Sequence, residues 1–128
     1  LKQGAVAVSV AHDSHNIIVA GTNNGDMAAA VEALEAQKGG MAIVLDGKVL
    51  AAIPLPIAGL MSDQPAAVVD AAMDELYAKS HNILGVSADV DVIMTLCFMS
   101  LPVIPKLKLL DTGLFDVEAF DFVPVELD

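Results

Sequence analysis

Arginine is absent from this chain. All six basic side chains among its 128 residues are lysines, set against 17 acidic ones, for a formal net charge of −11. Without guanidinium groups there is no planar fork for phosphates or base edges, and a field of this sign repels polyanions, so nucleic acid and anionic membrane surfaces are excluded as partners. Cys97 is the only cysteine. No internal disulfide can form, which fits a reducing compartment and sets cytoplasm as the expected location. Long hydrophobic runs are also lacking, although 55% of the residues are apolar. The two longest uncharged stretches, Val49 to Ser62 and Val92 to Pro105, each carry two prolines and fall short of the roughly 20 residues that span a bilayer. They read as buried core segments. There is no glycine-rich phosphate loop: Gly21 to Gly25 lacks the GxGxxG spacing and no GK[ST] occurs. A nucleophile elbow is absent too.

What is present suits one packed domain, 1–128, because charged residues are only 18% and apolar content is too high for a disordered acidic tail. The start, Leu1-Lys2-Gln3-Gly4, has neither an initiator methionine nor a signal-peptide pattern, and the chain is expected to be part of something longer.

Ala5 to Ala11 alternates small and β-branched residues and predicts a strand, and Asn16 to Thr22 reads as a second after the polar break at His12 to His15. Asn23 is placed to cap a helix, with Asp26 three residues on near the positive end of its dipole. Met27, Val31 and Leu34 form its apolar stripe, and Gly39-Gly40 stops it. Met41 to Leu45 and Val49 to Ile53 flank Asp46-Gly47-Lys48, a strong hairpin signal because both turn residues tolerate positive φ. A second helix is expected from Ser62 or Asp63, with Pro65 in its first turn and a face of Val69, Met73 and Leu76 beside Val68, Ala72 and Tyr77. Glu75 and Lys79 form an i, i+4 pair along it. Val90 to Met99 is expected to be a strand, followed by irregular chain, a turn at Asp111-Thr112-Gly113 and a short strand at Phe120 to Val125. The order is roughly ββα-ββα-β. This predicts an α+β (or α/β) domain, a mixed β-sheet with two helices packed on it.

Groups that ionise near neutral pH cluster early. His12-Asp13-Ser14-His15-Asn16 places two of the three histidines, a carboxylate, a hydroxyl and an amide between two strands. Histidines three apart can ligate a metal or move a proton, with Asp13 orienting a ring. The alternative is a plain hairpin turn, which favours Asp, Ser and Asn for its own geometry. Metal-ligand spacings (CxxC, HxH, HExxH) are missing, so no complete metal site is expected within the chain. Cys97 reads as core, and His81 as a cation at a helix C-terminus. Leu55 to Asp63 and Leu101 to Pro105 are proline-stiffened and apolar, serving either as core crossovers or as walls for a partner domain or a flat ligand.

Three stretches together carry a family likeness: Val10 to Val19 with Gly21-Thr22-Asn23, Pro54 to Asp63, and Phe98 to Pro105 continuing to Asp111 to Asp116. The chain resembles the C-terminal domain of bacterial adenine deaminases over nearly its whole length. The resemblance implies a metal-dependent amidohydrolase that converts adenine to hypoxanthine and ammonia. It places the divalent metal, manganese or iron, in a (β/α)₈ barrel domain of the same polypeptide outside this chain, with homo-oligomers expected. His12, Asp13 and His15 are then auxiliary catalytic candidates, and Ser14, Asn16, Met61 and Ser62 candidate substrate contacts. By itself the chain is expected to be inactive. A non-catalytic ligand-binding or oligomerisation module is the competing reading.

Overall fold

A computed structural model describes residues 1–126. Strand β1 (Ala5–Val8) lies inside a four-stranded sheet, flanked by β2 (Ile18–Gly21) and β3 (Gly40–Leu45), with β4 (Lys48–Pro54) outside β3. Apolar residues occupy every position of β1, and its alternation divides two cores. Val6 and Val8 face a layer with Ile43, Ile53, Leu76, Leu84, Ile93 and Leu96. Ala5 and Ala7 face Ala30, Leu34, Ala42 and Val44. Successive side chains of a strand point to opposite faces, so a strand buried on both must be apolar throughout. Helix α1 (Asn24–Ala36) covers the alanine-rich face, whose small side chains let it approach closely, while α2 (Ala66–Asn82) and α3 (Val92–Cys97) cover the other. A separate sheet of β5 (Leu107–Leu110), β6 (Gly113–Asp116) and β7 (Asp121–Val123) follows.

The α+β class and the approximate element order agree with expectation. Every ladder is antiparallel. The expected mixed sheet is therefore an antiparallel one, in which β2 and β3 run the same way only because each pairs antiparallel with β1 between them. Helix α1 is the crossover that carries the chain from one to the other.

Local signals act as expected at α1 and the hairpin. Asn23 Oδ1 accepts the Asp26 N–H at 2.8 Å, and Asp46 and Gly47 both have positive φ in the β3–β4 turn. Helix α2 starts at Ala66, not at Ser62 or Asp63, with Pro65 as its N-cap. The residue before a proline avoids helical geometry, and the Gln64 N–H is taken by Ser62 Oγ at 3.1 Å, which holds the preceding turn. Val68 is exposed, apart from the half-buried Val69 and Met73 and buried Leu76.

The stretch expected as a strand from Val90 to Met99 is instead the helix α3. A short apolar run does not separate buried strand from buried helix. Here Asp91 decides the matter by capping: its carboxylate accepts the Met94 N–H at 2.9 Å, and its carbonyl accepts the Thr95 hydroxyl at 2.6 Å. Val92, Ile93, Leu96 and Cys97 are buried while Met94 and Thr95 are not, a helical spacing.

Candidate functional site

Register places three connections at one end of the four-stranded sheet. Val8 pairs with Ile18 and with Met41, and Gly40 pairs with Pro54. The β1–β2 loop holding His12 to Asn16, the α1–β3 junction at Gly39-Gly40 and the segment leaving β4 at Pro54 therefore share that end. Ser9 ties them together. Its hydroxyl donates to the Gly59 carbonyl at 2.6 Å and accepts the Gly40 N–H at 2.7 Å. Close approach requires glycine at position 39, where a Cβ would stand 2.5 Å from the Gly59 Cα at φ +99°. Met61 lies just beyond this junction, closing a turn through its backbone pair with Ile57, and Ser62 follows it. Met61 is 59% exposed.

The His12 to Asn16 loop is held from beneath by α3. The His12 N–H donates to the Cys97 carbonyl at 2.7 Å, the His15 N–H donates to the Ala11 carbonyl at 2.6 Å, and the His12 ring meets Phe98 edge-on at 5.7 Å. Helix α3 is itself fastened to α2, because Tyr77 donates its hydroxyl proton to Asp91 at 2.7 Å. Burial, and then that bond to a carboxylate, hold the Tyr77 phenol well above its ordinary range. Cys97 is buried at the end of α3 among core residues, and burial followed by the Asp91 charge pushes its thiol up. His81, in the last turn of α2, stacks on Tyr77, and its Nδ1 lies 3.2 Å from the Val86 carbonyl oxygen.

Backbone, not side chains, thus shapes the loop. Among the described residues, the side chains of His12, Asp13, Ser14, His15 and Asn16 form no hydrogen bond within the protein. Elsewhere the same residue types do serve turns: Asp116 Oδ1 accepts the N–H groups of Glu118 and Ala119 at 2.9 and 3.1 Å, and Ser62 accepts that of Gln64. None of Asp13, Ser14 and Asn16 supplies a side-chain hydrogen bond to this turn.

Three of the five instead line a cavity of about 310 Å³, together with Ser100, Pro102, Leu110 and Asp111. The far wall comes close because the Leu109 N–H donates to the Met99 carbonyl at 3.0 Å, tying β5 to the chain after α3. His12, His15, Met61 and Ser62 are not among the lining residues. Ser100 and Asp111 escaped the reading of single residues, although both belong to the stretches that carried the family likeness. A larger, more open depression of about 490 Å³ runs along α1 between Val19 and Glu35 and includes none of the candidates. No group of three or more His, Cys, Asp or Glu side chains among the described residues is arranged to hold a metal ion, so the residues present do not fit one. No helix among them is long and apolar enough to cross a membrane.

The family described as "Adenine deaminase C-terminal domain" matches residues 1–121. The chain is 58% identical over 126 residues to "Adenine deaminase 2" of Desulfotalea psychrophila, covering 98% of this chain and 22% of that protein. It is 54% identical over 125 residues to "Adenine deaminase" of Nitratidesulfovibrio vulgaris, with the same coverages. To "Adenine deaminase 2" of Carboxydothermus hydrogenoformans it is 54% identical over 127 residues, covering 99% of this chain and 22% of that protein. The chain therefore spans about a fifth of the length of the curated relatives it matches. With a family match running almost from end to end and curated relatives more than half identical over nearly the whole chain, this chain belongs to the adenine deaminase C-terminal domain family.

Proposed function

We propose that this chain is the C-terminal part of an enzyme that hydrolyses adenine to hypoxanthine and ammonia, and that its β1–β2 loop serves the active site from outside the catalytic barrel. In that reaction water supplies the oxygen that joins C6 of the purine, the C6–N bond breaks, and the amino nitrogen leaves as ammonia. The divalent metal implied by the family, manganese or iron, belongs to the barrel domain of the same polypeptide. This chain's part is binding and proton handling. An imidazole both donates and accepts hydrogen bonds, so His12 and His15 suit a relay to the leaving nitrogen, with Asp13 orienting a ring. Ser14 and Asn16 supply contacts to the base, while Ile57 to Met61, with Ser62 behind them, form an apolar cover. The single free cysteine suits a cytoplasmic setting.

The observation that carries this reading is the set of five polar side chains on a loop fastened through its backbone, none of them hydrogen-bonded within the protein. Alanine at His12 or His15 in the full-length enzyme should lower turnover by at least about 100-fold, the usual scale of a general acid–base contribution, with metal content unchanged. Ammonia release from adenine and metal analysis read the two quantities, and unaltered kinetics in both variants would sink the proposal. A buttressing or oligomerising domain is the second reading. It is favoured by the exposed apolar residues Ile57, Met61, Val103 and Ile104, and it predicts that same unaltered kinetics with a changed assembly state.

A further inference from the structure

We propose that the aromatic corner of the small sheet, built on Phe115, Phe120 and Phe122, is a docking surface for a basic and apolar segment of the polypeptide outside this chain. Among the described residues, neither core of the four-stranded sheet includes a residue of β5, β6 or β7. The small sheet has its own nucleus in Phe115, 9% exposed, which Phe120 and Phe122 meet edge-on at 5.5 and 5.3 Å. Those two rings stay in water, Phe120 79% and Phe122 51% exposed. A sheet ordinarily buries its apolar face against another element, so this corner lacks its cover. Phe120 supplies a second, independent observation. Its φ is +54°, in the left-handed region that bulky side chains rarely enter. Hydrogen bonds hold the turn there: Asp116 Oδ1 accepts the N–H groups of Glu118 and Ala119, and Asp121 Oδ1 accepts that of Phe122 at 2.8 Å. A large ring held in water against its backbone preference marks a place where a fold meets a partner.

Charge selects the occupant. Asp116, Glu118 and Asp121 share this hairpin with the two rings, and among the described residues only Glu118 has a cation near it, Lys106 at 3.8 Å. Aromatic faces beside carboxylates suit lysine or arginine with apolar neighbours, because the rings attract the cation and the carboxylates accept its N–H groups. A second copy brings a net charge of −11 and no arginine, so a self-contact here sets like charges against each other. On the reading of this chain as the C-terminal part of a longer polypeptide, the occupant is the remainder of that polypeptide. The matched region is 22% of the Desulfotalea psychrophila relative, and a surface on the remainder is tethered, which holds it at high effective concentration.

Hydroxyl-radical oxidation followed by peptide mass spectrometry reads the exposure of each ring in the 128-residue chain and in the full-length polypeptide. Phe120 and Phe122 should oxidise at least about fivefold more slowly in the full-length polypeptide, whatever its concentration, because a tethered partner keeps them covered. Glu118→Lys, at an exposed side chain, should raise both rates at least about twofold in the full-length polypeptide and leave them unchanged in the 128-residue chain. Phe120→p-benzoylphenylalanine, irradiated in the full-length polypeptide, should cross-link within one polypeptide to a lysine- or arginine-bearing stretch outside the 128 residues. Equal oxidation rates in the two lengths, rates unmoved by Glu118→Lys, protection that appears only on concentrating the protein, or cross-links confined to a second copy would overturn the proposal. None of these readouts uses turnover. Protection and cross-linking in a polypeptide that releases no ammonia from adenine would sink the deaminase reading and leave the docking intact. Unprotected rings in a polypeptide that does release ammonia would sink the docking alone.

Discussion

Asp26 does three jobs with one carboxylate, all at the end of the sheet away from the candidate loop. Its Oδ1 accepts the Gly47 N–H at 2.8 Å, its Oδ2 accepts from the Asn23 amide at 2.8 Å, and its charge sits in the first turn of α1. These bonds, the Gly47 one foremost, hold its carboxyl below the ordinary carboxylate range. A depressed pKa stabilises the fold above the unfolded value, and that contribution disappears as pH falls through the lower, folded value. Asp26→Asn should therefore flatten the acid limb of stability below about pH 4 while leaving its shape near neutrality unchanged, as read by urea midpoints across pH. An unaltered acid limb would show that the carboxylate charge is idle. Asn23→Ala removes the cap itself and should cost about 1 kcal/mol in the same titration at neutral pH.

At the scale of elements, α3 is the part that matters most for the candidate site. Six residues make too short a helix to persist alone, so it depends on its cap and its packing. Asp91 supplies the cap, Tyr77 holds Asp91, and the far end of α3 receives the His12 N–H. Tyr77→Phe keeps the ring and its stacking on His81 but removes the hydroxyl. The expected loss is about 1 kcal/mol of stability, together with faster hydrogen exchange at the His12 amide than at amides of β1 and β3. Exchange at His12 no faster than in the parent would mean that the loop does not lean on this connection. The strand expected between Val90 and Met99 failed for a related reason: its apolar letters suit either element, and the cap at Asp91 was the local signal that separates them.

For the whole molecule, charge and apolar surface act against each other. A net charge of −11 keeps copies apart, whereas the two proline-stiffened segments offer a surface for contact. Only part of each segment is available. Leu55 and Leu101 are buried, while Ile57, Met61, Val103 and Ile104 are exposed, Val103 at 70%. We expect the 128-residue chain to self-associate through Leu55 to Met61 or Leu101 to Pro105, more strongly as salt screens the acidic surface. Sedimentation velocity should show Met61→Ser or Val103→Ser shifting the chain toward monomer. A strictly monomeric chain at low and high salt, with these side chains solvated, contradicts this.

What the amino-acid order determined by itself is local or compositional. The Asn23 cap, the Asp46-Gly47 turn and the doubly apolar β1 depend on residues within a few positions of one another, and the missing arginines are a simple count. The three stretches on which the family likeness was read are likewise runs of near neighbours in the chain. Tertiary structure decided the rest because it joins residues far apart in the chain. Only packing sets Ser100 and Asp111 across a cavity from Asp13, and only the ladders bring Gly59 to Ser9 at the sheet end that carries His12. The loop shows the same division. Its polar letters were legible, but a turn's own needs account for such residues equally well until their hydrogen bonds are known. The fold leaves those side chains unused by the turn, and that is a property of positions in space, which spacing along the chain does not encode.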